Sequence, residues 1–165
     1  MIFSFDANVF IDMKKYYPRE SNNKLWEIIE DKMNNNEILI SKEVLIELKR
    51  KSDGLSKWLN KFQDNIIESV EEIQNYVIYL VNKYQGWIDP NSTTNQADPY
   101  IIALADYHKG AVVTQEKIQR HLNEHPEQIP NQPHALKIPN ICSLENIAYF
   151  DIVGFLVEIG DFKNI

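Results

Sequence analysis

Four acids fall at positions where a layered fold would bring them together. Asp6 closes the apolar run Ile2-Phe3-Ser4-Phe5, and Glu47 lies one to two turns into the segment after Ile38-Leu39-Ile40. Asp98 precedes Pro99 at the head of an apolar helical stretch, and Thr114 and Glu116 follow Ala111-Val112-Val113. Far apart in the chain, these residues can meet only through the fold. Carboxylates forced together repel, and two close ones do not both stay ionised at neutral pH without a compensating charge. A divalent cation removes that cost, and hard oxygen donors suit Mg²⁺ or Mn²⁺ rather than zinc. A cation of this kind can activate water for attack on phosphorus, and a second one can stabilise the leaving oxygen. Three of the acids also have a plainer reading. Asp98 before Pro99 is a helix N-cap signal, and Glu47, beside Lys49, Arg50 and Lys51, suits a solvated helix face. Thr114 can cap a helix containing Glu116.

The elements that would position these acids are legible from apolar patterning. Ile2–Phe5 reads as a buried strand, Asn8 to Tyr16 as a helix stopped at Tyr17-Pro18, and Ser21 as the cap of a second helix burying Leu25, Trp26, Ile28 and Ile29. Glu37–Ile40 is a second strand, and Ser41 caps a helix that buries Val44, Leu45 and Leu48. A short helix after Asp53-Gly54 carries Leu55, Trp58, Leu59 and Phe62. The spacing of Ile66, Val70, Ile73, Val77 and Leu80 predicts a long helix over Asn65–Tyr84, a surface on which a second copy or another protein could dock. Gly86–Ala97 is a loop. A helix runs from Asp98 to Lys109, closed by Gly110, before a strand at Ala111–Val113. A short helix over Glu116–Leu122, a fourth strand at Ile138–Cys142 and a helix capped by Ser143 complete the order. Short apolar strands alternating with helices imply one α/β domain over residues 1–165, with a central, mostly parallel sheet of four to five strands between two helical layers. Ligands of such sheets bind beyond the carboxyl ends of the strands.

Composition narrows the chemistry further. The net charge of −7 argues against holding nucleic acid by overall charge, though not against local basic patches. A single cysteine, Cys142, excludes an internal disulfide and a cysteine-only zinc site. None of the five glycines forms a dinucleotide or P-loop signature. The longest apolar runs, Tyr76–Val81 and Tyr100–Ala105, are too short to span a bilayer. With no basic-then-apolar leader, a cytoplasmic location is expected. Ser41 and Ser143 suit helix caps rather than nucleophiles. Trp87, in a loop, is the aromatic left open for base stacking.

The joint pattern resembles the PIN domain. The matching pieces are Phe5-Asp6-Ala7-Asn8-Val9-Phe10-Ile11, Ile40-Ser41-Lys42-Glu43-Val44-Leu45-Ile46-Glu47-Leu48, Ala97-Asp98-Pro99-Tyr100-Ile101-Ile102-Ala103-Leu104-Ala105 and Val112-Val113-Thr114-Gln115-Glu116. The resemblance runs from residue 2 to about 118. It implies a three-layer α/β/α nuclease that hydrolyses RNA with one or two Mg²⁺ or Mn²⁺ ions, leaving a 5′-phosphate and a 3′-hydroxyl, and often the toxin of a toxin–antitoxin pair. Asp6, Glu47, Asp98 and Glu116 would then be the metal-holding acids, with Glu43 competing for the place of Glu47. Asn8 and Thr114 would orient acids or water. Glu116 departs from the family pattern, which has Asp there. Basic residues trail three of the acids, and Lys14, Lys15, Arg50, Lys117 and Arg120 would form a rim for the RNA backbone. An antitoxin and a second copy are the expected partners besides RNA. A catalytically weak RNA- or protein-binding module of the same fold is the alternative.

Overall fold

The computed structural model describes residues 1–92 and 95–161. Five parallel strands form one sheet in the order β3-β2-β1-β4-β5. They are β1 (Phe3–Phe5), β2 (Ile38–Ser41), β3 (Ile66–Ile67), β4 (Ala111–Val113) and β5 (Ala148–Phe150). The register sets Phe3 beside both Ile38 and Ala111, and Val113 beside Phe150. Helices α1 (Ala7–Tyr16), α2 (Arg19–Asn34), α3 (Lys42–Lys51), α4 (Asp53–Leu59), α5 (Glu71–Lys83), α6 (Asp98–Tyr107), α7 (Arg120–Glu124), α8 (Ile138–Leu144) and α9 (Ile152–Glu158) carry the connections. The result is the expected three-layer α/β arrangement.

Alternation along the strands explains the layers. Successive side chains point to opposite faces, so in β2 Ile38 and Ile40 join the larger core while Leu39 joins a smaller one with Ile73, Val77, Ala103 and Leu104. The larger core is built around aromatic rings meeting edge to face. Phe155 of α9 stands 4.9 Å from Phe3 and 5.1 Å from Phe5. With both faces covered, the strands need no polar side, which is why they read as continuous apolar runs.

Several elements differ from the sequence reading. The long helix begins only at Glu71, because Asn65 turns the chain first. The buried Asn65 amide donates to the carbonyls of Met33 and Ile38 at 2.7 and 2.8 Å, and Ile66-Ile67 then pair with Ile40 and Ser41 as β3. Ile138–Cys142 is helical (α8), with Pro139 in the first turn, where its missing N–H costs nothing. Strand β5 lies beyond it at Ala148–Phe150. Ser143 is inside α8, and α9 is capped by Asp151, whose carboxylate accepts from the Gly154 amide at 2.8 Å. Ser21 caps nothing: its hydroxyl donates to the Pro18 carbonyl at 3.3 Å, and Asn22 kinks α2 with a non-helical backbone. The short helix expected at Glu116 starts at Arg120. Trp87 is buried in the core and offers no face to a base. Of the Gly86–Ala97 loop, Thr93 and Thr94 lie outside the described residues.

Candidate functional site

The carboxyl edge of the sheet gathers the four acids. β1 delivers Asp6 directly, β2 leads into α3 and Glu47, β4 leads to Thr114 and Glu116, and α6 begins at the same edge with Asp98. Asp6, Glu47 and Asp98 are 5 %, 7 % and 8 % exposed, too little for solvated helix-face residues. The N-cap of α6 is Ala97, so Asp98 stands inside the first turn rather than capping it. Glu43 faces another group of charges, with Lys42 and Glu68, which leaves Glu47 as the acid that α3 contributes.

Asp6 is held by its neighbours more firmly than by its own helix. The Asn8 amide lies 3.5 Å from Oδ1, whereas the Thr114 hydroxyl donates to Oδ2 at 2.7 Å. Thr114 in turn accepts from the Asn8 side chain at 3.4 Å and from the Glu116 amide at 3.2 Å. The Asn8 side-chain oxygen Oδ1 accepts from the Gln115 backbone amide at 3.0 Å. Gln115 Oε1 then accepts from the Ile152 amide at the head of α9. Asn8 and Thr114 thus form a bracket around Asp6 that joins β1 to β4.

Electrostatics follow from this crowding. Burial pushes Asp6 up to about 7, helped by the charges of Glu116 and Glu47 and opposed by the bonds from Thr114 and Asn8. Asp98 is held well above the ordinary carboxylate range by burial and by Asp6, Glu116 and Glu47, with Lys137 opposing. Burial also raises Glu116, against the Ile138 amide and the charge of Lys137. Glu116 does not stand free: its Oε2 accepts from the Ile138 amide at 2.7 Å, which ties it to the start of α8. Glu47 is ion-paired with Lys51 one turn along α3.

The donor set can be tested against a cation. Among the described residues, no three His, Cys, Asp or Glu side chains stand close enough to grip one ion together. A zinc site built from three or four protein ligands is therefore a poor match. Mg²⁺ needs only one or two carboxylates and keeps several waters, and an acid pocket strained by its own repulsion suits such an ion.

The basic rim is less closely engaged than the acids. Lys14, Lys15, Arg50, Lys117 and Arg120 are all exposed. Lys14 donates to Ser52 at 3.2 Å, Lys15 lies over the Tyr16 ring, and Lys117 pairs with Asp151 at 3.4 Å. The cation whose charge reaches the acids of α6 and the β4 loop is Lys137, half-buried and absent from the rim inferred from sequence. Reading Lys137-Ile138-Pro139-Asn140 as a helix start would have brought it to this edge. Two grooves of about 490 and 500 Å³ lie elsewhere, one lined by Tyr17, Leu25, Ile152 and Leu156 and the other by Glu72, Tyr76, Asp106 and Tyr107. None of the four acids lines either. No helix among the described residues is long and apolar enough to cross a membrane.

In comparisons with known proteins, the family described as "Domain of unknown function (DUF4411)" matches residues 3–160. No curated protein matches the chain.

Proposed function

The chain belongs to the family of the domain of unknown function DUF4411, and for this member we propose an Mg²⁺- or Mn²⁺-dependent endoribonuclease. The observation that carries the reading is the convergence of Asp6, Glu47, Asp98 and Glu116 at one sheet edge, where burial and mutual repulsion hold Asp6 and Asp98 far from ordinary carboxylates. The resemblance of the same four segments to the PIN domain supports it.

In this reading Asp6 and Asp98 hold the ion, Glu47 orients water beside it, and Glu116 acts from the flank. The bound ion would supply charge neutralisation and the lowered pKa of water that phosphodiester hydrolysis needs. The residues of the chain supply the rest. Thr114 fixes the direction of the Asp6 carboxylate, and Asn8 fixes Thr114. Lys51 withdraws one Glu47 oxygen from the pocket. Exposed Lys14, Lys15, Arg50, Lys117 and Arg120 would meet the RNA backbone outside it. The products would carry a 5′-phosphate and a 3′-hydroxyl. A toxin role with a cognate antitoxin extends the same resemblance, with growth arrest on expression of the wild-type chain alone as its test, and a homodimer would use the surface of the long helix α5.

Asp98→Asn is the decisive variant. Cleavage of single-stranded RNA in Mn²⁺ should fall at least a hundredfold while the melting temperature is retained, and calorimetry should show weakened Mn²⁺ binding. Cleavage at the wild-type rate would overturn the assignment. The binding-module reading draws on one observation, the engagement of Glu116 with a backbone amide instead of the pocket. Absence of Mn²⁺ binding at millimolar concentration in the wild-type protein would decide for it.

A further inference from the structure

We infer that Lys137 is the contact for the phosphate group undergoing hydrolysis, an inference that rests on the nuclease reading of the same pocket. Its position is set from both sides. The Asn140 side chain, fully buried, accepts from the backbone amides of Lys137 at 3.2 Å and Gln119 at 3.1 Å. The Asn140 amide donates to the Gln119 carbonyl at 2.9 Å and to Asn123. The next amide along, Ile138, is the one bonded to Glu116. Lys137 is therefore fastened to the loop that carries Glu116, and its placement does not depend on a flexible surface segment.

The charge is near the acids and yet unspent. The amide next to Lys137 binds Glu116, and the Lys137 charge is felt by both Asp98 and Glu116. Among the described residues no carboxylate comes within ion-pairing distance of it. Other cations in the neighbourhood are committed: Lys51 to Glu47 and Lys117 to Asp151. A cation beside two acids and paired with neither is available to an anion, and a phosphodiester oxygen is the anion that an RNA bound at these acids would present. The exposed rim lysines can steer RNA, but a half-buried lysine whose backbone is pinned beside the anchor of Glu116 can hold one phosphate in register with the acids.

The experiment is steady-state cleavage of a labelled single-stranded oligoribonucleotide in Mn²⁺ across a salt series, with Lys137→Met, Lys137→Gln and Lys137→Arg beside the wild type. The Met and Gln variants should raise KM by about tenfold, and should flatten the slope of log kcat/KM against log salt by about 0.7, the share of one phosphate contact on a single strand. Lys137→Arg should recover most of both. Calorimetry should find Mn²⁺ binding to Lys137→Met as tight as, or tighter than, the wild type, because a positive charge has left the acids' surroundings. Wild-type KM and salt slope in the Met and Gln variants would overturn the inference and leave the nuclease reading standing, and so would a lowered melting temperature with KM and slope retained. A wild-type protein that cuts no RNA would overturn both.

Discussion

An aspartate that titrates near neutrality inside a protein is a debt carried by the fold. Asp6 has a native value of about 7, against about 3.9 in an unfolded chain. Between those values the native state holds the extra proton, so stability falls as pH rises from about 4 to 7. Asp98 and Glu116, both shifted upward, act in the same direction. Asp6→Asn removes the Asp6 share of that penalty. In chelator at pH 8 it should stabilise the protein by roughly 2 kcal/mol, with a melting temperature that declines less steeply between pH 4 and 7 than that of the wild type. Added Mn²⁺ should raise the melting temperature of the wild type and not of the variant. Thr114→Val works the other way. It deprives a buried carboxylate of its shortest bond, at a cost of about 2 kcal/mol at alkaline pH, and should move the pH dependence of cleavage to higher pH. Asp6 and Asp98 were legible in the sequence because an acid after an apolar strand and an acid before a helical proline are local signals. Lys137 was not, because its meaning depends on α8 being a helix and on Asn140 pinning that helix to a distant loop.

At the scale of elements, the strands are so short that apolar patterning could find only those bounded by turn residues. β1, β2 and β4 were readable on that basis. β3 has two residues, below what periodicity can resolve, and β5, as short as β1 and β4, is partly exposed where they are buried and so lacks their apolar signal. Ile66 and Val70 happen to continue the helical spacing of Ile73 and Val77, and only the buried amide of Asn65 reveals the break. The joint between α6 and β4 makes a sharper demand. A Cβ on Gly110 would sit 2.1 Å from the Ile2 carbonyl oxygen, the same oxygen that accepts from the Ala111 amide at 2.9 Å. Gly110→Ala must therefore push β4 away from β1, and with it Thr114 away from Asp6. Chemical denaturation should show a loss of roughly 3 kcal/mol, and any cleavage should fall by more than the lost stability explains.

Over the whole molecule, net charge and local chemistry pull in different directions. A chain of net charge −7 repels a polyanion at a distance, so contact with RNA would depend on cations placed near the pocket rather than on the average field. Sequence composition reported the repulsion, while the arrangement of the cations needed the fold. β1 lies in the middle of the sheet, between strands made much earlier and much later than each other. Asp6 is synthesised 108 residues ahead of the hydroxyl that steadies it, and the amide that engages Glu116 comes later still, at Ile138. A polypeptide still emerging from the ribosome thus carries its first acid without the bracket that aims it. Translation must pass the start of α8 before these groups can assemble, so on the nuclease reading a chain ended short of Ile138 would lack the amide that anchors Glu116 and would cut no RNA.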